Sequence, residues 1–471
     1  MSEPRPVQLV SLYQKQATIQ ARSVRGWYAG WRWALVALTQ ALFYGLPWLA
    51  WNGRQAFLFD LAARRFYLGP LVFYPQDFIY LTGLLVVCAY ALFFFTAVAG
   101  RLWCGYACPQ TVYTEVFTWI ERRCEGERSA RLRLDAAPWT REKVLRRGAK
   151  HLAWLGVALW TGFSFVGYFT PIRTLWHEAF TLDFGPWEWF WVNFYAFATW
   201  GNAGFMREQV CKYMCPYARF QSAMFDRDTL VIGYDLQRGE PRGPRAAKSA
   251  AAATPAARGD CIDCKLCVQV CPTGIDIRDG LQYECIGCAA CVDACNGVMD
   301  KVGLARGLVR YSTENAMALG GSPARIWRRV LRARVLVYGS VLLLITTLVA
   351  GGIALRKPFR VDVLRDRASL ARLVARGHVE NLYRLQIMNA TEAPQRYAIG
   401  VEGLDGIVVS ERAPIEVEPA AARWVAVHVQ VPPETAAQAA PGVHPIRFVV
   451  TRVDAAAPAE VHEKSTFILP H

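Results

Sequence analysis

Five long apolar stretches dominate the hydrophobic pattern, at roughly 31–51, 78–100, 152–170, 187–204 and 335–355. Each has about 18 to 23 residues, enough to cross a hydrocarbon core ~30 Å thick. Asn193 and Asn202 interrupt the fourth. Trp27, Tyr28, Trp48, Trp51, Trp187 and Trp189 crowd the ends, as expected of side chains with an apolar body and a polar tip at a membrane interface. The competing reading, a buried core helix, fits poorly with runs this long and uncharged. Past residue 356 the period changes to two. Val425, Val427, Val429 and Val431 alternate with Ala426, His428 and Gln430, and Ile446, Phe448 and Val450 alternate with Arg447 and Val449. Pro432-Pro433 and Pro441-Gly442 punctuate the gaps. About seven short strands in this tail predict an immunoglobulin-like β-sandwich, without a cysteine to staple it.

Between the fourth and fifth stretches lies a cysteine-rich block. The pattern therefore predicts a multi-domain protein: an α-helical membrane domain of about five transmembrane helices, an inserted α+β dicluster ferredoxin-like domain, and a C-terminal all-β immunoglobulin-like sandwich. The expected boundaries are a cytoplasmic N-terminal segment 1–30, a four-helix membrane domain 31–225 and a linker 226–259, Ala/Pro/Arg-rich over 241–259. A dicluster domain 260–333, a fifth transmembrane helix 334–355 and a periplasmic domain 356–471 follow.

Composition sharpens this picture. The 471 residues are 54% hydrophobic, yet the formal net charge is +15. Soluble domains rarely combine the two, whereas apolar spans with basic cytoplasmic flanks do so naturally. Nucleic acid, the other common partner of a basic chain, is not expected, because no basic stripe interleaved with aromatics stands outside the membrane flanks. Segment 101–150 carries eleven Lys and Arg, whereas 171–186 carries only Arg173, with Glu178 and Asp183. The first is therefore expected inside and the second outside. Loop 52–77 follows outside, although Arg54, Arg64 and Arg65 weigh against it. Five spans then place the N-terminus and 205–333 in the cytoplasm and the tail after Arg356 in the periplasm. The polar stretch 1–26 lacks the features of a cleavable signal, so the first helix is expected to be an uncleaved anchor.

Eight of the fourteen cysteines fall in two runs, Cys261-x-x-Cys264-x-x-Cys267-x-x-x-Cys271-Pro272 and Cys285-x-x-Cys288-x-x-Cys291-x-x-x-Cys295. This is the spacing of bacterial two-cluster ferredoxins. Two residues between cysteines let a tight loop wrap three thiolates around one cubane, and the fourth reaches the other cluster. Cys261, Cys264, Cys267 and Cys295 are thus assigned to one 4Fe-4S cluster, and Cys285, Cys288, Cys291 and Cys271 to the second. Gly274 and Gly287 are expected to allow close backbone approach to sulfide. Asn296 replaces the usual second proline. Zinc bound by sets of four cysteines is the alternative, and this doubled run of four is rare for zinc.

The apolar stretches also repeat. Two are followed by Cys104-Gly-Tyr-Ala-Cys108-Pro109, and two more by Cys211-Lys-Tyr-Met-Cys215-Pro216. An i to i+4 spacing predicts both thiols on one helix face, at the cytoplasmic membrane boundary. Soft thiolates there suit Cu(I) or could cycle through a disulfide, with Met206 and Met214 as candidate thioether ligands. The bland alternative is helix packing by small residues. Packing is the expected role of Cys88 and Cys124. His151 and His177 flank the third stretch and are not expected to hold haem. His378, His428, His444, His462 and His471 are expected at the surface.

The segments from Arg101 to Tyr113 and from Cys211 to Gln221, with Tyr234–Gly243, resemble signature segments of the CcoG/FixG/RdxA family, accessory proteins of cbb3-type cytochrome c oxidase. The resemblance covers nearly the whole chain. It implies a bacterial inner-membrane, multi-pass protein with cytoplasmic clusters that reduces Cu(II) to Cu(I) for the oxidase. Cys104, Cys108, Cys211 and Cys215 would form the redox or copper site. Its partners would be membrane lipid, a cytoplasmic electron donor, and oxidase-assembly or copper-transport proteins. The cysteine-proline units are similar to those of membrane ferredoxins in nitrate and nitrous oxide respiration, which implies a second reading: quinol-linked electron transfer without copper. A third is a structural assembly factor.

Overall fold

The computed structural model describes residues 18–244, 259–318, 331–366, 371–411, 413–453 and 459–470. The core of the expected linker, 245–258, lies outside the described residues, as does most of the N-terminal segment. The chain divides into two compact units. One comprises Met1–Tyr44, Val87–Val166 and Phe184–Leu343, and the other Gly45–Val86, Gly167–Asp183 and Leu344–His471.

Among the described residues, two helical segments are long and apolar enough to cross a membrane, Pro75–Ala99 and Ala333–Ala354, with mean hydropathies of 2.3 and 2.1. They agree closely with the second and fifth apolar stretches. The other three stretches do not map one-to-one onto helices. The helix Trp27–Gly45 stops six residues short of position 51, because Pro47 diverts the chain into a 3-10 turn, Leu46–Trp48. The helix Arg141–Val166 starts eleven residues early, in a charged segment whose buried Lys143 and Lys150 find partners. The helix Pro186–Thr199 gives way to a π-helical turn, Trp200–Met206.

In the first unit, Arg141–Val166 packs against Pro186–Thr199. At Gly162 the approach is so close that a Cβ would lie 2.3 Å from the Val192 carbonyl oxygen. The helix Pro109–Glu125 joins them through Phe117, whose ring stacks on Trp154 at 5.2 Å, while Trp154 Nε1 donates to the Phe117 carbonyl at 2.9 Å. Beside this apolar knot lies a buried ion network. Glu121 accepts from Arg131 at 2.7 Å and from Arg207 at 3.1 Å, and Lys150 pairs with Glu125 at 2.7 Å. Burial alone would push the Glu121 carboxyl up, but Arg207 and Arg131 outweigh it and hold it below the ordinary carboxylate value.

The ferredoxin-like part of this unit is framed by an antiparallel pair of strands, Val231–Tyr234 and Val309–Ser312, with Ile232 opposite Tyr311. Two helices, Leu266–Gln269 and Ala290–Val302, each begin inside a cysteine run. The chain entering the first long helix is fixed to this part. The Arg22 amide donates to the Gln269 carbonyl at 2.8 Å, and the Tyr28 and Ala29 amides donate to the Asp293 carboxylate at 3.3 and 2.8 Å. That carboxylate satisfies donors that a helix start leaves open. Gly26 has no room for a side chain, since a Cβ would lie 2.3 Å from Asp293 Cγ.

The tail, in the second unit, folds into two main sheets. One orders its strands Val408–Val409, Ala422–Val431, Val379–Asn389 and Phe359–Arg365, with Arg372–Leu373 also on Val379–Asn389. The other runs Ile415–Val417, Gln395–Glu402, Gly442–Arg452 and Glu460–Leu469. Three very short strands raise the number above the seven expected. The alternation does its expected work: Val427, Val429, Val431, Ile446, Phe448 and Val450 are all buried, around Tyr383, Tyr397 and Phe467. Segment 46–77 is not a plain loop. Phe57–Asp60, Arg65–Leu68 and Leu71–Phe73 form a small antiparallel sheet. Its Leu58, Tyr67, Val72 and Tyr74 pack on Met388, Ala390 and Ala420 of the sandwich. Arg54 lies over the Tyr67 ring and pairs with Glu392.

Two stability tests follow. Tyr74 Oη donates to the Asn389 and Ala421 carbonyls at 2.9 and 3.2 Å. Tyr74→Phe should therefore cost about 1–2 kcal/mol in chemical denaturation followed by tryptophan fluorescence. Glu121→Gln should destabilise the first unit by about 3 kcal/mol or more, by leaving buried cations uncompensated. Because the folded pKa of Glu121 is lowered, its contribution is present above the ordinary carboxylate pKa and lost as pH falls through the folded value. Wild type should thus lose stability on acidification, and the variant should show a flatter acid limb.

Candidate metal centres

Two small cavities collect the ferredoxin cysteines. One is lined by Cys261, Cys264, Cys267 and Cys295 with Leu266, Val298, Met299 and Leu308. The other is lined by Cys271, Cys285, Cys288 and Cys291, with Cys267 again and Ile232, Ile275 and Ile286 around it. Each gathers three thiols of one run and the fourth of the other, and Cys267 lines both. Among the described residues, no three His, Cys, Asp or Glu side chains converge as tightly as a single ion needs. Four thiols spaced around a void with apolar walls fit a cubane, whose body separates its ligands, better than a zinc ion.

The two runs also repeat in backbone conformation. The residue before the second cysteine is left-handed in both, Asp263 at φ 53° and Gly287 at φ 69°. So is the residue after it, Lys265 at φ 54° and Ala289 at φ 57°. These reversals turn successive thiols toward one point, at a cost of about 1–2 kcal/mol for each non-glycine residue. The glycines expected to face sulfide instead meet protein: a Cβ on Gly287 would lie 3.2 Å from the Arg101 carbonyl oxygen, and one on Gly274 would lie 2.8 Å from Ile19. Asn296, in place of proline, accepts from the Gly307 amide at 3.0 Å.

The cysteine-proline units differ from the expected single helix face. Cys104 sits in a short helix, Leu102–Tyr106, but Cys108 is extended (φ −60°, ψ 129°) and caps the next helix. Cys211 lies in a π-helical turn, Val210–Met214, and Cys215 is extended (φ −79°, ψ 107°) before Pro216–Met224. The following prolines exclude the helical conformation at Cys108 and Cys215. The four thiols nevertheless share one neighbourhood. Cys104 is within electrostatic reach of Cys108 and Cys211, and Cys108 of Cys215. Burial pushes the Cys104 thiol up to about 12 and Cys211 to about 11, so both favour the protonated form at neutral pH. Met206 and Met214 are exposed, Cys124 packs in the Phe117–Trp154 core, Cys88 is exposed, and His151 stacks on Phe205.

Sequence reasoning missed the residues that join the thiol sites. Gly105, inside the first unit's motif, lies against the second ferredoxin loop: a Cβ there would be 2.8 Å from the backbone N and Cα of Cys288 and from the Ile286 carbonyl oxygen. Cys104 packs in a cluster with Ile286, Cys288 and Cys291. Gln221, fully buried, accepts from Cys104 Sγ at 3.3 Å. Gln110 donates to the Asn202 and Arg207 carbonyls at 2.9 and 3.0 Å, tying the first motif to the second hairpin. Arg101 donates to the Tyr283 and Ala218 carbonyls, bridging ferredoxin loop and second motif. The only sequence signal for these residues was their place beside the cysteine-proline units.

The arrangement defines an iron–sulfur protein of electron transfer with a C-terminal immunoglobulin-like domain. Residues 206–314 match the family described as a 4Fe-4S dicluster domain, 81–125 a 4Fe-4S binding domain, and 349–470 the IG-like fold at the C-terminus of FixG. The nitrogen fixation protein FixG of Rhizobium meliloti is 38% identical over 92% of this chain and 90% of its own. Protein RdxA of Cereibacter sphaeroides is 37% identical over 86% of this chain and 85% of its own. The crystal structure of a FixG-related protein from Vibrio parahaemolyticus is 28% identical, covering 24% of this chain and 97% of that one, with a TM-score of 0.21. The chain belongs to the FixG/RdxA family.

The Gly105 contact yields a direct test. Gly105→Ala should cost about 1–3 kcal/mol through forced separation of the two loops. The electron paramagnetic resonance signal of the centre held by Cys288 should shift, while the other centre's signal stays.

Proposed function

We propose that this protein passes electrons from a cytoplasmic donor to Cu(II) at Cys104, Cys108, Cys211 and Cys215, supplying Cu(I) for a cbb3-type cytochrome c oxidase. The 4Fe-4S clusters, when bound, would accept and release single electrons. One observation carries the reading: the first cysteine-proline unit packs directly on the Ile286–Cys288 backbone through Gly105, with Cys104 against the apolar cluster that contains Ile286 and Cys288. A thiol site in contact with cluster ligands is placed to exchange electrons with them. Thiolates prefer Cu(I) to Cu(II), so binding there favours reduction. The oxidase role rests on the family resemblance.

The topology read from Lys and Arg has 52–77, 171–186 and the tail outside and 101–150 and 205–333 inside, in a chain that crosses a bacterial inner membrane five times. The clusters would then be cytoplasmic and the sandwich periplasmic.

A second reading has its own support. The match of 81–125 to a 4Fe-4S binding domain takes in Cys104 and Cys108, which would make the four thiols ligands of a further iron–sulfur centre.

Replacing Cys104, Cys108, Cys211 and Cys215 with serine in the full-length protein separates these readings. The copper reading expects unchanged iron and sulfide content and loss of at least tenfold in Cu(II) reduction, measured by a Cu(I)-specific chelator. Loss of one centre's worth of iron would favour the second reading. Unchanged content and unchanged copper reduction would place the reaction elsewhere.

A further inference from the structure

A cavity of about 590 Å3 enters the first unit beside both thiol centres. Pro272, Thr273, Ile286 and Ala290 line it and also line the second cysteine cavity, and Cys211 lies on its wall. Its charge is lopsided. Six arginines (Arg22, Arg25, Arg32, Arg122, Arg123 and Arg207) face three glutamates, Glu115, Glu127 and Glu208. Arg207 is already committed to Glu121, and Glu127 accepts from Ser23 at 2.8 Å.

Arg32 is the telling residue. It is only 7% exposed, its Nε has no hydrogen-bond partner, and its ion pair to Glu115 spans 3.7 Å, beyond a good hydrogen bond. A guanidinium carries five N–H donors in a fixed fork that matches carboxylate or phosphate. Cys288, Glu115 and Asp293 lie within electrostatic reach of Arg32 inside the protein, and the same side chain lines the cavity. A bare hydrated dication would be repelled by the arginine surplus, whereas an anion is attracted.

We propose that this cavity receives copper(II) as an anionic polycarboxylate chelate, of the citrate type, gripped by Arg32. The inference rests on the copper reading above and names its substrate. One electron leaves the reduced protein for each Cu(II). The resulting Cu(I) is a poor match for hard carboxylate oxygens and passes to the Cys211 sulfur, which gives up its proton, while the chelator departs as the free anion. Charge and atoms balance: chelated Cu(II), one electron and a thiol yield thiolate-bound Cu(I), the chelator and a proton.

The test uses full-length protein in detergent, reduced with dithionite and freed of excess. Reoxidation of its visible chromophore is followed with Cu(II) citrate or with the cationic bis(ethylenediamine) complex. The citrate complex should give saturable kinetics and at least tenfold higher efficiency. Arg32→Gln should raise its half-saturating concentration about tenfold and leave the cationic complex unaffected, and Arg32→Lys should restore part of the loss. Independently of turnover, calorimetric titration with redox-inert Zn(II) citrate should show binding to wild type that Arg32→Gln abolishes. Equal or faster reaction with the cationic complex, or Zn(II) citrate binding unchanged in Arg32→Gln, overturns the proposal. If neither copper complex reoxidises protein that ferricyanide still reoxidises, the copper reading falls, and calorimetry alone then decides the anion site.

Discussion

The contact on which the first unit depends is backbone against backbone: the Cys104–Cys108 turn laid on the Ile286–Cys288 loop. Only a residue without a side chain fits at position 105, and two further ties keep the surfaces in register. Arg101 donates to the Tyr283 carbonyl, and Tyr311 Oη meets both the Tyr106 hydroxyl of the turn and the Gly287 carbonyl of the loop. The backbone carrying the thiol pair is thereby held at a fixed separation from the backbone of the ferredoxin loop. Redox work rewards such rigidity, since transfer between centres weakens steeply with separation.

The two units secure themselves by different means. The sandwich follows the ordinary logic of apolar burial, with two sheets closing over valine, isoleucine and aromatic side chains. The first unit sets buried charge beside its apolar clusters. Glu121 meets Arg131, Arg207 and Lys150. Such pairs add little net stability compared with apolar packing, but each penalises any arrangement that parts it. Arg207 shows the use of that penalty: its guanidinium is held by Glu121 while its carbonyl accepts from Gln110, so the network fixes the backbone four residues before Cys211.

Much of this was legible in the sequence because spacing is itself geometry. The cysteines of the doubled run line the two cavities, Cys267 both of them, and alternation in 425–431 and 446–450 marked the buried face of the sandwich. Apolar runs were poorer guides to helix ends. A proline at 47 and a π-turn at 200–206 cut helices within apolar sequence, and the charged start of Arg141–Val166 continued one beyond it. The i to i+4 spacing of the cysteine-proline units misled for a local reason, the veto each proline exerts on the residue before it. Gly105, Gln110, Gln221 and Arg32 were invisible because their roles depend on partners roughly 80 to 180 residues away. The small sheet at 57–73 was hidden by its brevity.

The seat of the first long helix has a consequence for biogenesis. Its opening amides are met by Asp293, which stands between Cys291 and Cys295. On a ribosome, the helix emerges more than two hundred residues before that carboxylate exists. Its final docking must therefore wait until the metal-binding loops have been made and wound into shape. Maturation of the inorganic centres would then act as a checkpoint for assembly of the hairpins, and iron starvation should leave chains inserted but incompletely packed.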